Sequence, residues 1–149
     1  MRIERTLKIP APIDKVWGAI MDVPSVAALM PGLEKIEKLD DKSYKSTMKS
    51  KVAGVPVSFD LLTTITEMEA PSMIKTVTDG KALGGLGRVS QNQVLRLKAI
   101  SDSEVEVSYE ADVMLVGRLA TFGERIFRAK ATEMGDKFID AFVKKVSSL

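Results

Sequence analysis

Apolar and polar positions alternate along most of this chain and switch to a helical period in only two places. From Arg2 to Ile9 the apolar residues Ile3, Leu7 and Ile9 fall on alternate positions, as in a half-buried strand, and Arg5 interrupts that face. Pro12 then begins a short helix, where its fixed φ costs nothing, and Asp14 in the first turn complements the helix dipole. Ile13, Val16, Trp17 and Ile20 share one face of it. Asp22 stands where it can cap a second short helix bearing Val23, Val26, Ala27 and Met30, and Pro31-Gly32 stops that helix.

After Gly32 the pattern predicts six strands: Leu33 to Leu39, Tyr44 to Val52, Val55 to Met68, Met73 to Thr78, Val89 to Ala99 and Glu104 to Leu115. Short connections favour antiparallel meanders over parallel crossovers. The clearest strand alternates Val105, Val107, Tyr109, Ala111 and Val113 with Glu104, Glu106, Ser108, Glu110 and Asp112, so one face is dry and the other wet. From about Leu119 onward the period becomes helical and predicts a final helix of about 30 residues. On it Leu119, Phe122 and Ile126 form one apolar stripe, and Phe127, Met134, Phe138 and Phe142 form another rotated away from it. Coverage that wide predicts a curved sheet wrapped around the helix, or a second surface packed on it. The expected fold class is α+β, with a curved antiparallel seven-stranded sheet, two short helices after the first strand and a long C-terminal helix, in one domain over residues 1–149.

Composition narrows the chemistry. With 45% hydrophobic and 28% charged residues the chain has globular usage. Lys and Arg outnumber Asp and Glu by 22 to 20 with the signs interspersed, so nucleic acid is not an expected partner. There is no cysteine and no histidine, which removes disulfides, thiolate nucleophiles and imidazole bases. No metal site and no cofactor are expected. The N-terminus has no apolar signal core and no stretch approaches the roughly 18 apolar residues of a transmembrane span, so a cytoplasmic protein is expected.

Three segments carry a resemblance: APIDKVWGAIMDVPSVAALMPGLEKIE from Ala11 to Glu37, YKSTMKSKVAGVPVSFD from Tyr44 to Asp60, and DVMLVGRLATFGERIF from Asp112 to Phe127. The element order resembles the START-like, or helix-grip (SRPBCC), superfamily, and these segments resemble the carbon monoxide dehydrogenase G-subunit family within it. The resemblance implies that an apolar ligand lies between sheet and helix. It also implies an accessory role toward a molybdenum hydroxylase, in maturation, membrane access or electron exchange with a lipid-soluble acceptor.

Several residues are candidates for lining such a cavity. Trp17, Met48, Phe59, Met114, Met134 and Phe138 are read as facing inward, where core packing explains them as well as ligand contact does. Gln91 and Gln93 share a face with Leu95 and Leu97, so either that strand end is wet or the amides point at a ligand. Tyr109 carries a hydroxyl that needs a partner when buried, which a ligand or a backbone carbonyl would supply. The turn from Gly80 to Val89 lacks the Lys-Ser/Thr of a phosphate loop and reads as a hairpin. Lys42, Lys45, Lys49 and Lys51 lie mostly on a wet face, where they protect a sheet edge or meet an acidic partner or a peripheral anionic lipid surface.

Three readings follow. The chain binds a hydrophobic small molecule of quinone or lipid type, it is a cyclase- or hydrolase-like enzyme using the same cavity, or it is a protein-interaction module. Lack of histidine and of a paired general base weighs against the enzyme.

Overall fold

A computed structural model describes residues 1–149. The strands are β1 (Arg2–Ile9), β2 (Leu33–Lys38), β3 (Ser43–Val52), β4 (Val55–Glu69), β5 (Met73–Ala82), β6 (Gly87–Ser101) and β7 (Glu104–Val116). The helices are α1 (Ile13–Met21), α2 (Val23–Ala27), α3 (Arg118–Thr121) and α4 (Glu124–Ser147). The seven strands form one antiparallel sheet in the order β1-β7-β6-β5-β4-β3-β2. Strands β1 and β2 therefore occupy opposite edges, and α1 and α2 carry the chain from one edge to the other. Register shifts at Leu33/Lys35, Ile65/Glu67 and Ala99/Ser101 interrupt the ladders, the kind of irregularity that adds local bend and twist.

The register sets the inner face. Leu7 lies opposite Val107, which lies opposite Leu97, and the same alternation continues through Ile74 and Ile65 toward Phe59 and Met48. Only 18 of 149 residues are buried, and the apolar ones among them gather mainly in two clusters that do not join. The first holds Ile9, Val16, Leu97, Val105, Val107, Phe142 and Val146. The second holds Val52, Val57, Ala82 and Leu119, with Phe59, Leu115, Phe122 and Phe127 packed against it. Helix α4 starts in the second cluster and ends in the first, so it crosses the concave face from one end of the sheet to the other. Full burial of each such aliphatic or aromatic side chain stabilises by about 1.5–3 kcal/mol, which anchors the helix at both ends.

The antiparallel meander and the presence of two short helices after the first strand match the expected pattern, and three features differ. The final helix is broken: Gly123 has φ of +88° and separates α3 from a 24-residue α4. Phe122 and Phe127 meet edge-on at 6.0 Å because the chain turns there, and not because they share a helical stripe. Within α4 one stripe faces the sheet, through Phe127, Ala131, Met134, Phe138, Phe142 and Val146, while Ile126 is 38% exposed. Leu119 and Phe122 lie before Gly123, outside α4, so the doubled apolar coverage is not a property of one helix. Second, β5 and β6 continue to Ala82 and Gly87, so the glycine-rich hairpin shortens to Leu83–Leu86. Gly80 permits this extension, because a Cβ there would lie 2.3 Å from Leu61 Cδ2 and 2.8 Å from Val89 Cγ1. Third, α2 spans only Val23–Ala27, and the Asp22 side chain makes no cap hydrogen bond.

Gly87 holds β6 against the end of β7, where a Cβ would lie 1.9 Å from the Val116 carbonyl oxygen at φ of +124°. Gly87→Ala is expected to lower unfolding free energy by more than about 2 kcal/mol in urea titration. Gly84→Ala, with φ of +76° and nothing within 4 Å, costs about 1–2 kcal/mol from backbone strain alone.

Candidate functional site

Between the two apolar clusters the concave face is polar. The register sets Thr63 opposite Thr78, Thr78 opposite Gln91 and Thr76 opposite Gln93, so hydroxyls and amides of β4, β5 and β6 form one band across the sheet. The Thr63 and Thr78 hydroxyls are 2.8 Å apart. Thr76 Oγ1 donates to Gln93 Oε1 at 2.8 Å, and Gln93 Nε2 donates to Gln91 Oε1 at 2.7 Å. Thr78 is 5% exposed, yet no buried side-chain polar atom lacks a partner, so the band is internally satisfied.

Two further groups border this polar waist. Tyr109 lies between Arg5 and Leu95 across the strands, and burial alone raises its phenol above the ordinary 10.0. No hydrogen bond offsets that burial, so the hydroxyl remains free to meet a ligand atom. Arg5 reaches across from β1 and forms an ion pair with Asp136 on α4. The guanidinium crosses at Gly135, where a Cβ would come within 2.8 Å of Arg5 Nη1 and make the end of that side chain shift. The Arg5 and Asp136 side chains are 31% and 57% exposed, so the pair faces solvent and leaves the waist without a free charge.

Open grooves flank the middle of α4. One of about 250 Å³ is lined by Pro31, Gly32, Ser50, Met134 and four lysines with Glu133. The other, of about 240 Å³, lies along β1 beside Ile3, Arg5, Arg128 and Ala131. Ser50 and Met134 belong to inward-facing positions of β3 and α4, so the first groove opens from the concave side.

The sequence candidates separate by position. Gln91, Gln93 and Tyr109 fall in the waist. Met134 lines the first groove, and Met48 sits between Leu33 and Phe59 on the inner face. Trp17 and Phe138 pack against the first apolar cluster and Phe59 against the second, which places them at the ends of the concave space. Met114 is a correction: it points outward and is 66% exposed, because it has the parity of Glu110 and Asp112 and not of Tyr109. Thr63, Thr76, Thr78 and Asp136 are not among the candidates the sequence offers. Threonine is an ordinary strand former, and only the pairing register joins these positions to the glutamines.

A family model described as the carbon monoxide dehydrogenase G-subunit (CoxG) matches residues 6–147. No curated protein matches the chain. Among solved structures, a conserved protein from Geobacillus kaustophilus is 21% identical with a TM-score of 0.90, covering 99% of this chain and 96% of that one. A START superfamily protein from Mycobacterium smegmatis is 12% identical with a TM-score of 0.77, covering 99% and 97%. The Zhui aromatase/cyclase from Streptomyces sp. R1128 is 16% identical with a TM-score of 0.72, covering 99% and 93%. These likenesses establish the START-like helix-grip fold.

Two outcomes test the waist. Thr78→Val leaves the Thr63 hydroxyl without its partner and is expected to cost about 1–3 kcal/mol, whereas adding Thr63→Val recovers part of that loss. Urea titrations of the two single variants and the double variant measure the coupling. Because the Tyr109 phenol is raised in the folded chain, its contribution to stability is present below pH 10.0 and is lost as pH rises through that value toward the raised one. Alkaline denaturation of Tyr109→Phe is therefore expected to lack this loss, relative to its own stability at neutral pH.

Proposed function

This chain belongs to the CoxG family of carbon monoxide dehydrogenase, and from that premise we propose that it binds a hydrophobic small molecule of quinone or lipid type between its sheet and α4, without transforming it. It serves in this reading as an accessory protein to a molybdenum hydroxylase of the carbon monoxide dehydrogenase kind. The observation that carries the proposal is the separation of the core into two apolar clusters with a polar, internally bonded waist between them.

That arrangement suits a neutral ligand with an apolar body and a polar ring or head. The apolar part rests against Phe138, Met134 and Phe59, while the waist presents neutral hydrogen-bonding groups. Thr76 donates to Gln93 and one Gln93 N–H donates to Gln91, which leaves the Gln91 amide N–H groups, the second Gln93 N–H, one hydroxyl of the Thr63–Thr78 pair and the Tyr109 hydroxyl as donors for a carbonyl oxygen. Apolar pockets with a few convergent polar groups are the usual form of small-molecule sites. The one carboxylate reaching this region, Asp136, is engaged by Arg5, so it is not poised as a general base.

Denaturing extraction of freshly purified protein, followed by mass spectrometry, is expected to recover an apolar compound at near one equivalent. Repeated recovery of none overturns the proposal. Tyr109→Phe and Gln91→Leu each remove a neutral hydrogen bond worth about 1 kcal/mol, so each is expected to weaken retention roughly fivefold.

A further inference from the structure

The sheet has two free edges, β1 and β2, and they differ. The β1 edge is capped at its start, where Arg128 Nη1 donates to the Arg2 carbonyl and the Arg2 side chain is held by Glu4, Glu110 and Asp112. The β2 edge is bare. Leu39 N–H donates to the Ser43 carbonyl, so the alternation of an antiparallel ladder turns the N–H and C=O of Ile36 and Lys38 away from β3, toward the open side. No side chain bonds to the backbone of either residue.

The residues along this edge, Leu33-Glu34-Lys35-Ile36-Glu37-Lys38-Leu39, form an inverted repeat of charge. When the segment is laid antiparallel on a second copy about Ile36, Lys35 meets Glu37, Glu34 meets Lys38, Leu33 meets Leu39 and Ile36 meets itself. The backbone of Ile36 faces outward, so the register that matches the charges is also one that hydrogen bonding permits. A slip of one residue opposes Glu34 to Glu37 or Lys35 to Lys38, and a slip of two opposes Lys35 to Lys35 or Glu37 to Glu37. Charge on an edge strand ordinarily prevents pairing. Here its order favours one partner in one register.

Lys35 and Glu37 are exposed, share the outward parity of β2 and have no ion-pair partner within the chain. Leu39, which would meet Leu33 of the second copy, is 50% exposed. We propose that β2 is a self-recognition edge, at which two copies pair antiparallel about Ile36 and join their seven-stranded sheets into one continuous sheet. The twofold axis of such a pair runs perpendicular to the sheet, so both α4 helices lie on the same side. Gly32 immediately precedes β2 and lines the groove of about 250 Å³, so the grooves of both copies border the interface. This inference stands independently of the ligand reading.

Sedimentation equilibrium of the full chain tests it. At about 100 μM the protein is expected to sediment at about twice its 16.3 kDa. Lys35→Glu and Glu37→Lys each set like charges opposite one another twice across the axis, and each alone is expected to raise the dissociation constant at least about tenfold. Mixing the two single variants restores both pairs, so a heterodimer of near wild-type affinity is expected. The variant carrying both changes is expected to dimerise with itself for the same reason. Ile36→Pro removes an N–H that β3 does not use and is expected to be monomeric, with its fold checked by circular dichroism. A wild-type monomer at that concentration, single charge variants that dimerise as tightly as wild type, or no recovery on mixing overturns the proposal. So does a folded Ile36→Pro variant that still dimerises.

Discussion

Helix α4 is held to the sheet by burial at its two ends and by one ion pair near its middle. Phe127 enters one apolar cluster, Phe142 and Val146 enter the other, and Arg5 reaches Asp136 between them. Between those ends the residues of α4 that face the sheet are half-buried, and open grooves flank them. The polar waist, the flanking grooves and the half-buried state of Gln91, Gln93 and Tyr109 all follow from that geometry. Had the clusters joined, the same strands would enclose a solid core.

The waist shows how a polar band is accommodated inside a protein. Burying an amide or hydroxyl without a partner is costly, and here strand register supplies the partners, threonine to threonine and threonine to glutamine. The band is bonded internally and still offers unengaged N–H and O–H groups. Arg5 is partnered as well: it lies close to the helix at Gly135, and Asp136 pairs with its charge. The interior thus presents neutral polarity, whereas the edges of the sheet carry charge of both signs.

Much of the architecture was legible in the amino-acid order. Period-two alternation located all seven strands, and short connections identified the antiparallel meander. The helical period marked α1, α2 and the C-terminal helix. The Gln91 and Gln93 amides and the Tyr109 hydroxyl stood out because they interrupt apolar faces. The glycine at 123 was visible too, but its consequence was not. A helical period continues through a glycine on paper, while a positive φ in the folded chain ends the helix.

Alternation along each strand depends only on neighbouring residues, so the sequence by itself determined which elements form and, for most positions, which side chains face inward. Met114 shows the limit, since an apolar residue on the outward parity is counted as core until the pairing is known. Contacts between distant residues depend on register and curvature, and these are properties of the whole sheet. Only the tertiary structure therefore decided that Thr63, Thr76 and Thr78 join the glutamines, that Arg5 meets Asp136, and that the core divides in two beneath the final helix.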